Sequence, residues 1–329
     1  MAKAIAVSAL LLLIGGCSGS SVTTTPPSRP VSAARIDMST GVVDVVPGVG
    51  SVWVAGFGVV ARLDSGTGEV VATIDAAGTE DYSRIAVGEG SVWVTTSGAG
   101  SVYRIDPVTN QVLATVDVGG SVFGIAVGGG FVWITRPAET TGELLRIDPT
   151  SNLVVGDPIA VGPGPGQVTF GLGAVWVANT SPPSVVRVDP ASSEVKTVFT
   201  GTRGVAIADG SVWTAGSDEI VRLDPDSGQV QARFQMPRAG LLAVSDGAVW
   251  VLAWPESTST AIFYPIEGTA ALWQIDPRSN QVVGQPVAVS GLQPIAIAAT
   301  DTAIWIGDYT GMTVARFNLV PCAEPACGS

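Results

Sequence analysis

The stretch Arg84 to Gly120 reads RIAVGEGSVWVTTSGAGSVYRIDPVTNQVLATVDVGG. Four short runs rich in Val, Ile, Thr, Tyr and Trp alternate in it with clusters of Gly, Ser, Pro and Asn, the pattern of four successive antiparallel strands joined by turns. The unit then repeats. Its GSVWV core recurs around Trp53, Trp93, Trp133, Trp176, Trp213, Trp250 and Trp305, at spacings of 40, 40, 43, 37, 37 and 55 residues. A period of about 40 residues with four strands per unit marks a β-propeller, so the sequence predicts an all-β fold of seven four-stranded antiparallel blades.

The remainder of the chain fits one such ring. With 329 residues, 46% hydrophobic and only 13% charged, it has ample material for a large core and little helical periodicity. A formal net charge of −12 disfavours nonspecific attraction to nucleic acid or to anionic membrane surfaces. No histidine is present, which removes the commonest general base and metal ligand at once. Of three cysteines, Cys17 lies far from Cys322 and Cys327, so no zinc-type cluster is expected.

Residues 1–16 carry Lys3 and then an apolar run from Ile5 to Ile14, too short to span a bilayer stably and typical of a secretory signal. Ile14-Gly15-Gly16-Cys17 resembles a bacterial lipobox. That resemblance implies cleavage before Cys17, lipidation of the new terminus, and a protein held on the outer side of the cell membrane. The alternative is an ordinary signal peptide followed by an incidental cysteine. Residues 17–31, rich in Ser, Thr and Pro, read as a solvated tether. The propeller is expected over 32–319 and a tail over 320–329, in which Cys322 and Cys327 either form a small disulfide or stay as thiols.

Within each blade the third strand carries Arg-x-Asp, as in Arg62/Asp64, Arg104/Asp106, Arg146/Asp148, Arg187/Asp189 and Arg222/Asp224, degenerating to Gln274/Asp276 and Arg316/Asn318. A turn follows each Asp, and its last residue must accept a left-handed conformation. Gly68, Asn110, Asn152, Ser193, Gly228 and Asn280 stand there, five of the six being Gly or Asn. The seventh blade lacks an outer strand at its own end. Ala34-Arg35-Ile36-Asp37 matches Ala114-Thr115-Val116-Asp117, so the N-terminal segment is expected to close the ring as the outer strand of the last blade.

Alternation along the first strand of each blade aligns Val46, Ala86, Ala126, Thr169, Ala206, Ala243 and Ala296, small residues suited to a narrow axis. Two positions earlier stand Asp44, Arg84, Gly124, Gln167, Gly204, Leu241 and Pro294, expected to rim the central channel. Three polar residues, Asp44, Arg84 and Gln167, make that rim the candidate ligand site. Simple pairing of Asp44 with Arg84 is the structural alternative. Variable loops on the same face add Asp81, Tyr82, Arg136, Arg203 and Tyr309. The connection of residues 253–270 explains the 55-residue spacing and carries Trp254, Phe263 and Tyr264, which read either as a lid or as a decoration packed on its own blade. The repeated Trp and Asp residues are assigned to packing and turn capping. Gly162-Pro163-Gly164-Pro165-Gly166 is not a phosphate loop, because no helix follows it.

Residues 102–135, VYRIDPVTNQVLATVDVGGSVFGIAVGGGFVWIT, resemble the YVTN-type β-propeller repeat family, and IAVGEGSVWVT also resembles repeats of streptogramin lyase-like propellers. The resemblance covers nearly all of 32–319 and specifies blades. Streptogramin lyases are metal-assisted enzymes that rely on a catalytic histidine, so no catalytic residue carries over to this chain. The reading reached is a tethered, monomeric propeller that binds an envelope protein, peptide or glycan without catalysis, cofactor or metal. Two alternatives stand beside it. One is a purely structural envelope lipoprotein; the other is a lyase or hydrolase using Asp44, Glu267 or Asp308 with Arg84 and a divalent cation.

Overall fold

The computed structural model describes residues 28–76, 83–138, 140–245, 247–254 and 269–321. Among them the chain forms β-strands and no helix, arranged as seven separate antiparallel sheets. The inner strands run Asp44–Gly48, Ser83–Gly88, Ile125–Gly128, Pro165–Gly171, Thr202–Ala208, Ala239–Ser245 and Pro294–Ala299, one per blade. Each inner strand contacts the inner strand of the next blade, and the seventh contacts the first, so the ring is closed. We number the blades 1 to 7 in that order.

Closure uses the chain terminus as expected. Ser28–Asp37 pairs antiparallel with Thr313–Pro321, giving blade 7 its outer strand. Arg35 on that strand donates to the carbonyls of Ser290 and Gly291, at 3.1 Å each, in the connection entering blade 7. Both strands are longer than expected: residues 28–31, read as tether, and residues 320–321, read as tail, belong to the sheet. Pairing continues there because Ser28 meets Pro321 in register, and a bulge between Val31 and Ala33 absorbs the local irregularity.

Blades 3 and 6 differ from the simple repeat. Their outer strand is split into Leu153–Val154 with Ile159–Gly162, and Gln281–Val282 with Val287–Val289, both pieces pairing with the same third strand. The cause is local. Gly156-Asp157-Pro158 and Gly284-Gln285-Pro286 combine a left-handed glycine (φ 69° and 64°) with a proline that has no N–H to offer the ladder.

Cores lie between blades. Each of the seven repeat tryptophans is buried, at 0 or 1% exposure, between its own sheet and a neighbour. In blades 1 to 5 the indole Nε1 donates to a backbone carbonyl five residues earlier, as from Trp93 to Gly88 at 3.3 Å. Inner strands approach so closely that a Cβ added at Gly88 would sit 2.6 Å from Val127 Cγ1 of the next blade.

The repeated arginine has a role that its sequence context did not reveal. Arg104 lies over the Trp93 ring, 5.2 Å from its centroid, and donates to the Pro149 carbonyl at 2.5 Å and Asn152 Oδ1 at 3.0 Å in the turn of the following blade. Arg62 does the same with Trp53 (5.4 Å), Pro107 (2.6 Å) and Asn110 (3.3 Å). Arg222 stacks on Trp213 at 5.4 Å and reaches Pro277 and Asn280. Arg316 over Trp305, donating to the Ser65 carbonyl at 3.5 Å, carries the latch across the closure.

The turns receiving these latches are held as expected. Asp106 Oδ1 accepts from the Val108 and Thr109 amides at 2.7 and 3.3 Å, and Asn110 has φ 58°. Such amide bonds hold the Asp64, Asp106, Asp148, Asp189 and Asp224 carboxyls below the usual carboxylate range. All six sequence positions assigned a left-handed residue have positive φ.

Replacing Arg104 by Met keeps much of its apolar contact with Trp93 and removes the latch. Urea unfolding is expected to show a loss of about 1–3 kcal/mol, the range for a hydrogen bond from a charged group plus a cation–π contact. Lys196→Met, at an exposed site, should stay within about 0.5 kcal/mol of wild type. Equal costs for the two would remove the latch from the account.

Candidate functional site

The inner strands enclose a central cavity of about 630 Å³. Asp44, Arg84, Gly124, Gln167, Gly204, Leu241 and Pro294 all line it. Their common placement follows from register. Val46 faces Trp53, Ala86 faces Trp93, Ala126 faces Trp133 and Thr169 faces Trp176 across the first two strands of their blades, so the residue two positions earlier sits at the strand's entry, toward the channel mouth. Blade 7 keeps the same seven-residue spacing, and it is Ala298, not the expected Ala296, that lies opposite Trp305. Ala296 is therefore the rim equivalent in that blade, and Pro294 enters the cavity wall from one step further out.

The polar rim residues are tied to the scaffold. Asp44 accepts the amide N–H of its neighbour Val45 and, with its other oxygen, that of Ile85 in blade 2, both at 3.0 Å. Gln167 repeats the device three blades on, its Oε1 accepting the Val205 N–H at 3.1 Å. Each side chain thus joins adjacent inner strands. Arg84 approaches Asp44 at 3.8 Å, donates to the Val43 carbonyl at 3.2 Å, and lies 5.2 Å from the centroid of the Phe123 ring. Side-chain exposures of 21% for Arg84 and 18% for Asp44 leave both partly open to the cavity.

Burial pushes the Asp44 carboxyl above its ordinary value, against the opposing pull of Arg84 and the two amides. A folded-state acid with a raised pKa binds its proton more tightly than the unfolded chain does. Its contribution to stability is complete below the unfolded value of about 3.9 and is lost as pH rises through the folded one.

Among the described residues, loops lining the cavity come unevenly from the ring. Blades 4, 5 and 6 contribute Thr180, Pro183, Gly201, Gly216, Ser217, Asp218, Arg238 and Trp254, whereas elsewhere the walls are inner-strand residues and Phe123. The aliphatic walls include Leu241, Leu242, Ile295 and Ile297. Trp254 is 2% exposed, and its backbone N–H bonds the Arg238 carbonyl at 3.3 Å. Sequence reading missed Phe123, Asp218 and Arg238. The available signal was the pair of 37-residue spacings flanking Trp213, which mark the short connections around blade 5.

Other sequence candidates fall elsewhere. Arg136 is paired with Glu143 at 2.5 Å and donates to the Val118 and Gly119 carbonyls, outside the cavity lining. Tyr309 meets Phe57 edge-on at 5.7 Å, and Asp308 accepts the Gln293 and Gly311 amides at 3.1 Å each; neither lines the cavity. Arg203 stands on the blade 5 inner strand, but its side chain lies outside the described residues, as do Asp81, Tyr82, residues 255–268 with Glu267, Cys17, Cys322 and Cys327. Among the described residues no group of three or more Cys, Asp or Glu is placed to hold a metal ion, and no helix is long and apolar enough to cross a membrane.

Arg84→Met tests the charge pairing through its pH dependence. Loss of the cation raises the Asp44 carboxyl further, so the variant should lose more stability at pH 7 than at pH 4 in parallel denaturant titrations. A cost independent of pH would show that the two charges do not communicate.

No protein-family profile and no curated protein matches the chain. Solved structures do. Virginiamycin B lyase from Staphylococcus aureus superimposes with a TM-score of 0.69 at 16% identity, covering 88% of this chain and 99% of that one. Hydrazine synthase of Kuenenia stuttgartiensis gives 0.66 at 13% identity, over 94% and 99% of the two chains. The computationally designed Ika8 protein gives 0.61 at 13% identity, over 86% and 97%. At such identities the likeness is one of architecture, and this chain is a seven-bladed β-propeller.

Proposed function

We propose that this protein is an exported, lipid-anchored propeller that binds an envelope protein, peptide or glycan in its central cavity without transforming it. One observation carries the reading. In a ring whose blades repeat the same tryptophan, arginine and turn, the rim position holds Asp44, Arg84, Gly124, Gln167, Gly204 and Leu241, a different residue in almost every blade. Scaffold demands explain repetition; they do not explain a cavity lined by individual side chains. The volume of about 630 Å³ falls within the roughly 300–1,000 Å³ of small-ligand sites, and mixed aliphatic and charged walls suit a ligand with both kinds of group. Anchoring through Cys17 rests on the sequence before it, and Cys17→Ser is expected to move the protein from the membrane to the soluble fraction of fractionated cells.

A second reading places lyase or hydrolase chemistry in the same cavity. It is favoured by the architectural likeness to virginiamycin B lyase. Asp44, kept more basic by burial and set beside Arg84, would be its acid–base group, with a divalent cation supplied from solution. The absence of histidine weighs against it.

A thermal-shift screen of short peptides, cell-wall oligosaccharides and Mg²⁺, Ca²⁺ or Zn²⁺ separates these readings. A ligand at a hundredfold excess over its Kd adds about 2.7 kcal/mol and raises the Tm accordingly. Binding is expected for a peptide or oligosaccharide and should be lost in Leu241→Asp and weakened in Arg84→Ala. Mass-spectrometric appearance of a cleaved ligand would favour the lyase reading. Shifts that survive both substitutions would place binding outside the cavity.

A further inference from the structure

Among the described residues the cavity lining is not symmetric about the ring axis, and that asymmetry points to the shape of ligand it takes. Around blade 5 the connections are minimal: a single residue, Gly201, links the outer strand ending at Thr200 to the inner strand beginning at Thr202, and only Ser217 and Asp218 join Gly216 to Glu219. Gly201, Ser217 and Asp218 line the cavity and are exposed. Thr180 and Pro183 of blade 4 line it on one side of them, and Arg238 and Trp254 of blade 6 on the other. By contrast, the described loops at residues 56–58, 97–100 and 309–312, in blades 1, 2 and 7, contribute nothing to the lining. Among the described residues the loop lining of the cavity is therefore gathered over blades 4 to 6, with blade 5 at its centre.

We infer that the ligand is an extended peptide, held at the axis and leaving the ring across blade 5. This deepens the reading given under "Proposed function" and rests on it. Three features select a peptide. Among the described residues the cavity lining runs from the axis out to Gly201, Ser217 and Asp218 near blade 5, an extent that suits a linear chain better than a compact ligand. Its walls are aliphatic, with Leu241, Leu242 and Ile297 partly exposed, the complement of apolar side chains spaced along a chain. Sugar rings stack instead on open aromatic faces, and the two cavity aromatics among the described residues do not offer them: Phe123 carries Arg84 over its ring, and Trp254 is 2% exposed. Charges sit at both ends, Asp44 with Arg84 at the axis and Asp218 with Arg238 at the rim, where they would meet the polar backbone and termini of such a chain.

The test uses capped peptides built from Leu, Ala and Ser, three and seven residues long, titrated calorimetrically against the whole protein. Three variants accompany wild type: Ser217→Trp, which adds bulk at an exposed turn of the lining, Leu241→Asp in the apolar wall, and Lys196→Met as a distant control. Wild type is expected to bind the heptapeptides at least tenfold tighter than the tripeptides. Ser217→Trp should abolish that advantage and leave tripeptide affinity within twofold, while Leu241→Asp weakens both lengths and Lys196→Met changes neither. Heptapeptide binding unaffected by Ser217→Trp but lost in Leu241→Asp would overturn the lateral route and keep the cavity. Binding untouched by Leu241→Asp would overturn the cavity itself. Binding of chitooligosaccharides alone, or of no peptide, would overturn the peptide assignment.

Discussion

An arginine laid across an aromatic ring in one blade and reaching a turn carbonyl in the next, as in blades 1, 2, 3, 5 and 7, is the interaction on which most of this ring's blade junctions depend. Blades in a propeller touch only their neighbours, so the architecture stands or falls on what passes between adjacent sheets. Here that contact has an apolar part, the buried indoles, and a directional part, the guanidinium donors. The turn supplies its half through a capping Asp and a left-handed residue that together aim the Pro or Ser carbonyl at the arriving arginine. Arg316 and Ser65 carry the device from the last blade to the first. Blade 6 has Gln274 in place of the arginine, and next to it the N-terminal strand ties itself to Ser290 and Gly291 through Arg35.

Placing cohesion at the outer part of the blades leaves the axis chemically free. Inner strands need small residues and close approach, and they achieve adhesion with occasional bridges such as Asp44 to Ile85 and Gln167 to Val205. Those bridges sit at the rim, so residues fit for recognition also brace the ring. Asp44 shows the resulting tension. Its carboxyl is held where burial disfavours its charge, and Arg84 and two amides offset only part of that cost. Groups kept away from their ordinary ionisation in a cavity are common at binding sites, although bracing alone also produces them.

Architecture was legible in the sequence because it is repeated. Seven tryptophans set the blade count, turn chemistry set the left-handed positions, and the match of Ala34–Asp37 to a later outer strand set the closure. Features that depend on neighbouring blades were opaque. The arginine's partner lies about one repeat further along the chain, beyond the reach of local pattern. The seventh-blade rim was misplaced because Ala296 and Ala298 look alike, although the seven-residue offset to the tryptophan that every other blade keeps picks out Ala298. At the site, rim residues emerged because strand alternation is a local rule, whereas Arg136 and Tyr309 were placed by loop membership and proved to pair with Glu143 and Phe57. Phe123, Asp218 and Arg238 join the cavity through three-dimensional convergence of short loops, which spacing only hinted at.

The central claim is that repetition makes the scaffold and departure from repetition makes the site. Hydrogen–deuterium exchange of the intact protein, with and without a bound heptapeptide, addresses it directly. Added protection is expected at residues 201–205, 215–218 and 238–242, with little change in the repeated turns, such as 106–110 and 148–152. Protection centred on those turns, with none around the cavity, would contradict it.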